Sequence, residues 1–297
     1  MTRDLRGYAN EFPDVRWPEK ARVAVSFVLN IEEGAELSVS AGDERNESVH
    51  EAVQPIEGVP DLCMLSHFAY GSRVGYWRIT GLAQKHGVPL TLNACSRALE
   101  LTPWIGEDAA RRDYEVTCHG WRWESHAGME EAKERALIAK AVETIRRVHG
   151  KAPIGWHTKS SPSVNTRRLL VEHGGFLYDS DEYDEETPYY VEVAGRPHLV
   201  LPYSLETNDM RFQDRSAFVR GSDFADYAID AFDWLWDEGA HQPRMMSIGL
   251  HTRIIGRPGR IGGLATLMRH MQQKGGAWMA TRGDIARHWL KHCPPGT

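Results

Sequence analysis

Three places along the chain put side chains where hydrolytic chemistry could use them. Asn30-Ile31-Glu32-Glu33-Gly34 directly follows the apolar run RVAVSFVL, so its carboxylates would stand at a strand end rather than on a solvated helix face. A carboxylate there can act as a general base if partial burial raises its pKa toward working pH, while a solvated loop pair is the plain alternative. His251 ends MMSIGL and leads into Thr252-Arg253. An imidazole at a buried strand end suits a general acid, although a core histidine satisfied by backbone hydrogen bonds would look the same. Asp209, in YSLETNDMRF, is a candidate to fix the tautomer of such a histidine, against the commoner use of an Asn-Asp pair as a turn cap.

His119 closes the run YEVTC and opens the aromatic segment HGWRWESH, and His157-Thr158 follows a further short apolar run. Two histidines about three or four residues apart could share a metal ion, but position 123 is Trp, and His126 is two helical turns from His119. We therefore read Trp121 and Trp123 as wall or core aromatics and His126 as incidental. Arg253, Arg257 and Arg260 could clamp an anionic or ureido substrate through forked donors, or simply pair with acids. No GxGxxG, Walker loop, GxSxG or HExxH occurs, and Ser160, Ser161 and Ser163 do not form a nucleophile elbow.

Such residues need a frame, and the chain supplies one. Short runs rich in β-branched residues (22–29, 90–93, 115–118, 154–157, 176–178, 198–201 and 245–250) alternate with helical patterns over 73–86, 130–148, 164–173, 222–238, 261–274 and 283–291. Alternation of this kind predicts repeated βα units around about seven parallel strands, with helices ending at Gly87, Gly150 and Gly174. In a parallel α/β barrel the loops after the strands build the active site, and the residues above fall there. Segments 33–70 and 180–196 lack periodicity and read as active-site loops. With no linker or repeat, we expect one domain over 1–297, an irregular (β/α) barrel.

Totals limit the partners. Lys plus Arg number 35 against 41 acidic residues, a net charge of −6, so no basic field draws nucleic acid or anionic lipid. No run reaches the ~18 apolar residues of a membrane span, the first twenty residues do not read as an export signal, and the four cysteines make no CxxC pair. A cytoplasmic protein acting on a small molecule is the expectation.

The order of IEEG, CHGWRW, GWHT, TNDMRF and GLH, with YGSR, NTRRLL, GGFLYDSD and DIARHW between or beyond them, resembles the polysaccharide-deacetylase (NodB-like) superfamily. Within it, the likeness is to the allantoinases of bacterial urate catabolism, which work without metal, and it runs from about Leu5 to Trp289. The resemblance implies that Glu32 takes the catalytic-base position, Glu33 a metal-binding position, and His251 the general-acid position. It also implies that the superfamily's His-x-x-x-His is here His119 to Trp123, whose indole has no lone pair to give. Only Glu33 and His119 would remain for a metal such as zinc, so none is expected to bind well. Glu32, His251 and Asp209 would then carry catalysis, with Glu33, His119, Trp123, His157 and Arg253 at the substrate. A strained cyclic amide or ureide suits such a site better than an N-acetyl group. The superfamily's third-motif arginine is not evident here, and His157 or Thr158 lies near its place. Where related allantoinases carry an arginine and a glycine before Asn-Thr-Arg, this chain has Lys159-Ser160-Ser161-Pro162-Ser163-Val164, so the reaction transfers better than the substrate. A homo-oligomer is a further implication.

Overall fold

The computed structural model describes residues 4–48, 54, 56–213 and 218–296. Its nine strands are β1 (Val23–Ile31), β2 (Leu90–Ala94), β3 (Glu115–Cys118), β4 (Gly155–Trp156), β5 (Tyr178–Asp179), β6 (Tyr189–Val193), β7 (Arg196–Val200), β8 (Arg244–His251) and β9 (Ala277–Met279). They form one sheet in the order β6-β7-β5-β4-β3-β2-β1-β8, with β9 beside the start of β1. Every pairing is parallel except β6 with β7. The sheet curls into an irregular barrel, joined between the β7 and β8 sides by the single bridge Asn208–Gly249. To the seven expected strands the structure adds two, β6 and β9. The hairpin strand β6 lies inside the 180–196 segment read as a loop, because its mixture of Tyr, Glu and Val shows no clean alternation, and β9 is only three residues long.

The helices are α1 (Leu62–Tyr70), α2 (Tyr76–His86), α3 (Ser96–Leu101), α4 (Pro103–Arg111), α5 (Glu131–His149), α6 (Thr166–His173), α7 (Gly221–Glu238), α8 (Ile261–Lys274) and α9 (Arg282–His292). Helix α1 lies inside the other segment read as irregular, of which residues 49–53 and 55 are outside the described part. Gly87 and Gly150 end their helices in the left-handed conformation as expected, whereas Gly174 leaves α6 with φ 78° and ψ 166°, an extended exit that glycine also tolerates.

Strand β1 is buried along all nine residues, because β2 and β8 flank it and helices cover the outer face. Side chains alternate, so Ser26, Val28 and Asn30 face the barrel interior and the next residue in step is Glu32. The same period on β8 sets Ser247, Gly249 and His251 inward, and the register pairs Ser26 with Ser247 and Asn30 with His251. Below the mouth the interior is polar but satisfied: Asn93 Nδ2 donates to Asn30 Oδ1 at 2.8 Å, and Thr117 Oγ1 to Asn93 Oδ1 at 3.0 Å. Arg282, entering from the start of α9, donates to Ser180 Oγ at 2.8 Å and to the carbonyl of Pro202 at 3.0 Å, stitching the sides where β7 and β8 do not pair.

Candidate active site

Strand period, not chance, delivers Glu32 and His251 to the same mouth, one strand apart. Glu32 Oε2 accepts from Arg253 Nη1 at 2.6 Å. Its Oε1 lies 3.3 Å from His251 Nε2 and 3.5 Å from His119 Nε2, yet makes no hydrogen bond of good geometry. Behind His251 stands Asp209, which opens a short 3-10 turn (Asp209–Gln213). Its carboxylate accepts from His251 Nδ1 at 2.6 Å, from the His251 amide at 2.7 Å and from the Ile255 amide at 3.1 Å. Three donors leave Asp209 one orientation, and the imidazole is fixed with a proton on Nδ1. Asp209 therefore does more than cap a turn.

Glu33 turns the other way. It accepts from Thr252 Oγ1 and lies 3.5 Å from Arg253 Nη1. The YGSR phrase explains how it fits: Gly71–Gly75 is a π-helical turn between α1 and α2, and a Cβ at Gly71 would collide with both Glu33 and Thr252. A π turn inserted at such a point often marks a functional site. His119 Nδ1 is bonded to the His157 carbonyl, and His157 Nδ1 to the Ser180 carbonyl at 2.8 Å. The two rings stack at 5.3 Å with their planes 1° apart. Trp123 forms a wall, with Lys159 Nζ 3.6 Å above its ring and Arg253 Cζ 4.9 Å from its centroid. Lys159 also bonds Glu47 at 3.2 Å, linking two loops over the mouth.

Glu32, Glu33, His119, Asp209, His251 and Arg253 are each at most 4% exposed. Burial opposes the charge of Glu32, but His251 and then Arg253 outweigh it and hold the carboxyl well below the ordinary range. Burial also opposes a charged His251, yet Glu32 and then Asp209 prevail and raise its pKa to about 9. Glu33 is pushed up, chiefly by burial, and His157 is pushed down to about 3 by burial and then by His119. The site therefore sets an ionised carboxylate beside a protonated imidazole, a pattern that suits a base and an acid.

The eight residues expected in catalysis or at the substrate meet here, but other readings of the sequence change. His126 is not incidental: it is buried, with Nδ1 2.9 Å from Glu134 Oε1, and Glu134 also accepts from Ser163 Oγ and from Thr166 Oγ1, both at 2.5 Å, tying the 119–126 and 158–166 loops to α5. Arg257 lies elsewhere, 3.6 Å over the Tyr70 ring, and Arg260 packs over Phe212. Sequence reasoning missed Thr252, which the strand period places beside Glu33, and Tyr203, whose ring lies 4.4 Å from that of His157.

The donor set does not fit a metal. Among the described residues no three His, Cys, Asp or Glu side chains are grouped to hold an ion. Trp123 offers no lone pair, Glu33 is engaged by Thr252, and the guanidinium of Arg253 already sits between the two glutamates.

A curled, mostly parallel barrel with a carboxylate and an Asp-held imidazole at the strand ends defines a hydrolase-type site of the NodB kind. Comparison with known proteins agrees. The polysaccharide deacetylase family model matches residues 58–173. A putative polysaccharide deacetylase of Schizosaccharomyces pombe is 40% identical over 98% of each chain. Among solved structures, a probable polysaccharide deacetylase from Pseudomonas aeruginosa is 44% identical with a TM-score of 0.94, and PuuE allantoinase is 42% identical with a TM-score of 0.95, each covering 99% of both chains. The chain belongs to the polysaccharide deacetylase family. No helix among the described residues is long and apolar enough to cross a membrane.

Proposed function

We propose that this protein hydrolyses a C–N bond in a small cyclic amide or ureide, with allantoin the first candidate, and that it does so without a metal ion. The observation that carries this reading is the buried Glu32–His251–Asp209 array, set where the donors for an ion are missing. The similarity to PuuE allantoinase over nearly the whole chain supports it.

Water activation follows from the hydrogen bonds. The His157 carbonyl only accepts, so His119 Nδ1 must donate, and its Nε2 faces Glu32 Oε1, 3.5 Å away. A water seated beside Glu32 donates one hydrogen to Oε1 and turns a lone pair outward. Glu32 removes a proton as the oxygen bonds to the ring carbonyl carbon. The C–N bond then breaks as His251 Nε2 gives its proton to the leaving nitrogen, and the proton on Glu32 recharges His251 across 3.3 Å. The protein would need no added cofactor, nucleic acid or membrane.

The test is allantoin hydrolysis after exhaustive chelation, run beside N-acetylglucosamine oligomers with and without zinc. Ring opening in chelator supports the reading, and zinc-dependent acetate release with no action on allantoin sinks it. Near-normal turnover by a folded Glu32→Gln variant would overturn the role of Glu32.

A further inference from the structure

We infer that Arg253 is a catalytic residue that takes the electrostatic place of a metal ion, binding the oxyanion that develops on the substrate carbonyl. The inference rests on the reading above and goes beyond it, because nothing in the water-activation scheme uses Arg253.

Four observations converge. The guanidinium is paired with both glutamates of the Glu32-Glu33 dipeptide, at 2.6 and 3.5 Å through Nη1. These are the two carboxylates that the superfamily pattern assigns to base and metal ligand. The same guanidinium lies against the rings of Phe68 at 4.4 Å and Trp123 at 4.9 Å, and the resemblance puts Trp123 at the place of the second metal-binding histidine. One cation thus touches two of the places an ion would touch, and the base beside them. Its donors on Nε and Nη2 make no hydrogen bond to any described residue, so Nη1 holds the glutamates while the rest of the fork is free to donate. Finally, the site is buried and walled by aromatics, where a fixed cation acts strongly on a developing charge. A guanidinium also keeps its charge at any working pH, as an ion does.

Two experiments test this separately from the choice of substrate. In chelated protein acting on allantoin, Arg253→Ala should lower kcat by about 10²- to 10³-fold on the pH-independent plateau, with KM changed far less. Millimolar guanidinium should restore part of the rate, and sodium chloride at equal ionic strength should not. If Arg253 only positioned Glu32, the loss would appear as a displaced acid limb, Arg253→Lys would repair it, and the plateau would stand, which overturns the proposal. If the wild type leaves allantoin untouched, the substrate reading fails by itself, and a second measurement decides Arg253. Zinc titration calorimetry of Trp123→His against Trp123→His/Arg253→Ala should show binding at least about tenfold tighter once the resident cation is gone, as expected for two cations competing for the same carboxylates. Equal behaviour of the two variants, bound or unbound, overturns the inference.

Discussion

Replacing Asp209 with asparagine isolates its share of the raised His251 pKa. The Nδ1–Oδ1 bond is 2.6 Å long, buried and charged. A hydrogen bond to a charged group is worth about 1.5–3 kcal/mol net, and 1.36 kcal/mol corresponds to about one pKa unit. His251 should therefore fall from about 9 to roughly 7–8 in the variant, held above its ordinary value by Glu32. Titration of labelled imidazole by NMR reads this without any substrate. Where turnover is measurable, the alkaline limb of kcat/KM should move down with it, since the acid must be protonated to serve the leaving nitrogen.

Stability should follow the same titration. A histidine near 6.5 when unfolded and about 9 when folded contributes roughly 3 kcal/mol, fully present below pH 6.5 and lost as pH rises through 9. The thermal midpoint of the wild type should drop more between pH 7 and pH 10 than that of Asp209→Asn. A His251 in the variant that still titrates near 9, with an unchanged pH dependence of melting, would refute Asp209's share in that shift.

Two further outcomes follow from packing. Gly249→Ala drives a Cβ into Asn208 Nδ2 and Tyr203 Oη, so overpacking of about 1–3 kcal/mol should lower the melting temperature by several degrees in calorimetry. Glu134→Ala strips His126, Ser163 and Thr166 of their shared acceptor, costing about 3–5 kcal/mol, and limited proteolysis should cut within 158–166 earlier than in the wild type.

The sequence made the strand ends legible because β1 and β8 are long, continuous and buried, so the residue that follows each is marked by abrupt polarity. Glu32 and His251 could be picked out for that reason. Their register against each other could not, since parallel pairing is set by contacts some 220 residues apart. Strands β4 and β5, only two residues each, were located roughly and drawn too long. His126 was misjudged because its partner, Glu134, sits eight residues on, across a turn that no period predicts. Arg253 could be named as a candidate, but whether it met buried or surface acids depended on the inward face of β8 and the π turn that packs beneath it.

Glu32 presents a tension that bears on the substrate. Flanked by His251 and Arg253, it is ionised throughout any working range, and a carboxylate held so far down is a weak proton acceptor. A weak base suffices only if the rest of the reaction is made easy. Part of that ease can come from the site, through the role inferred for the Arg253 guanidinium and the proposed acid His251, kept protonated to about pH 9. The remainder must come from the substrate, as ring strain, a nitrogen that departs readily, or both. An acyclic acetamide on a sugar provides neither, whereas a five-membered ureide provides both. On the proposed reading the same cations that weaken the base favour a ring substrate, so allantoin in chelator is the first substrate to try and acetylated sugar the control.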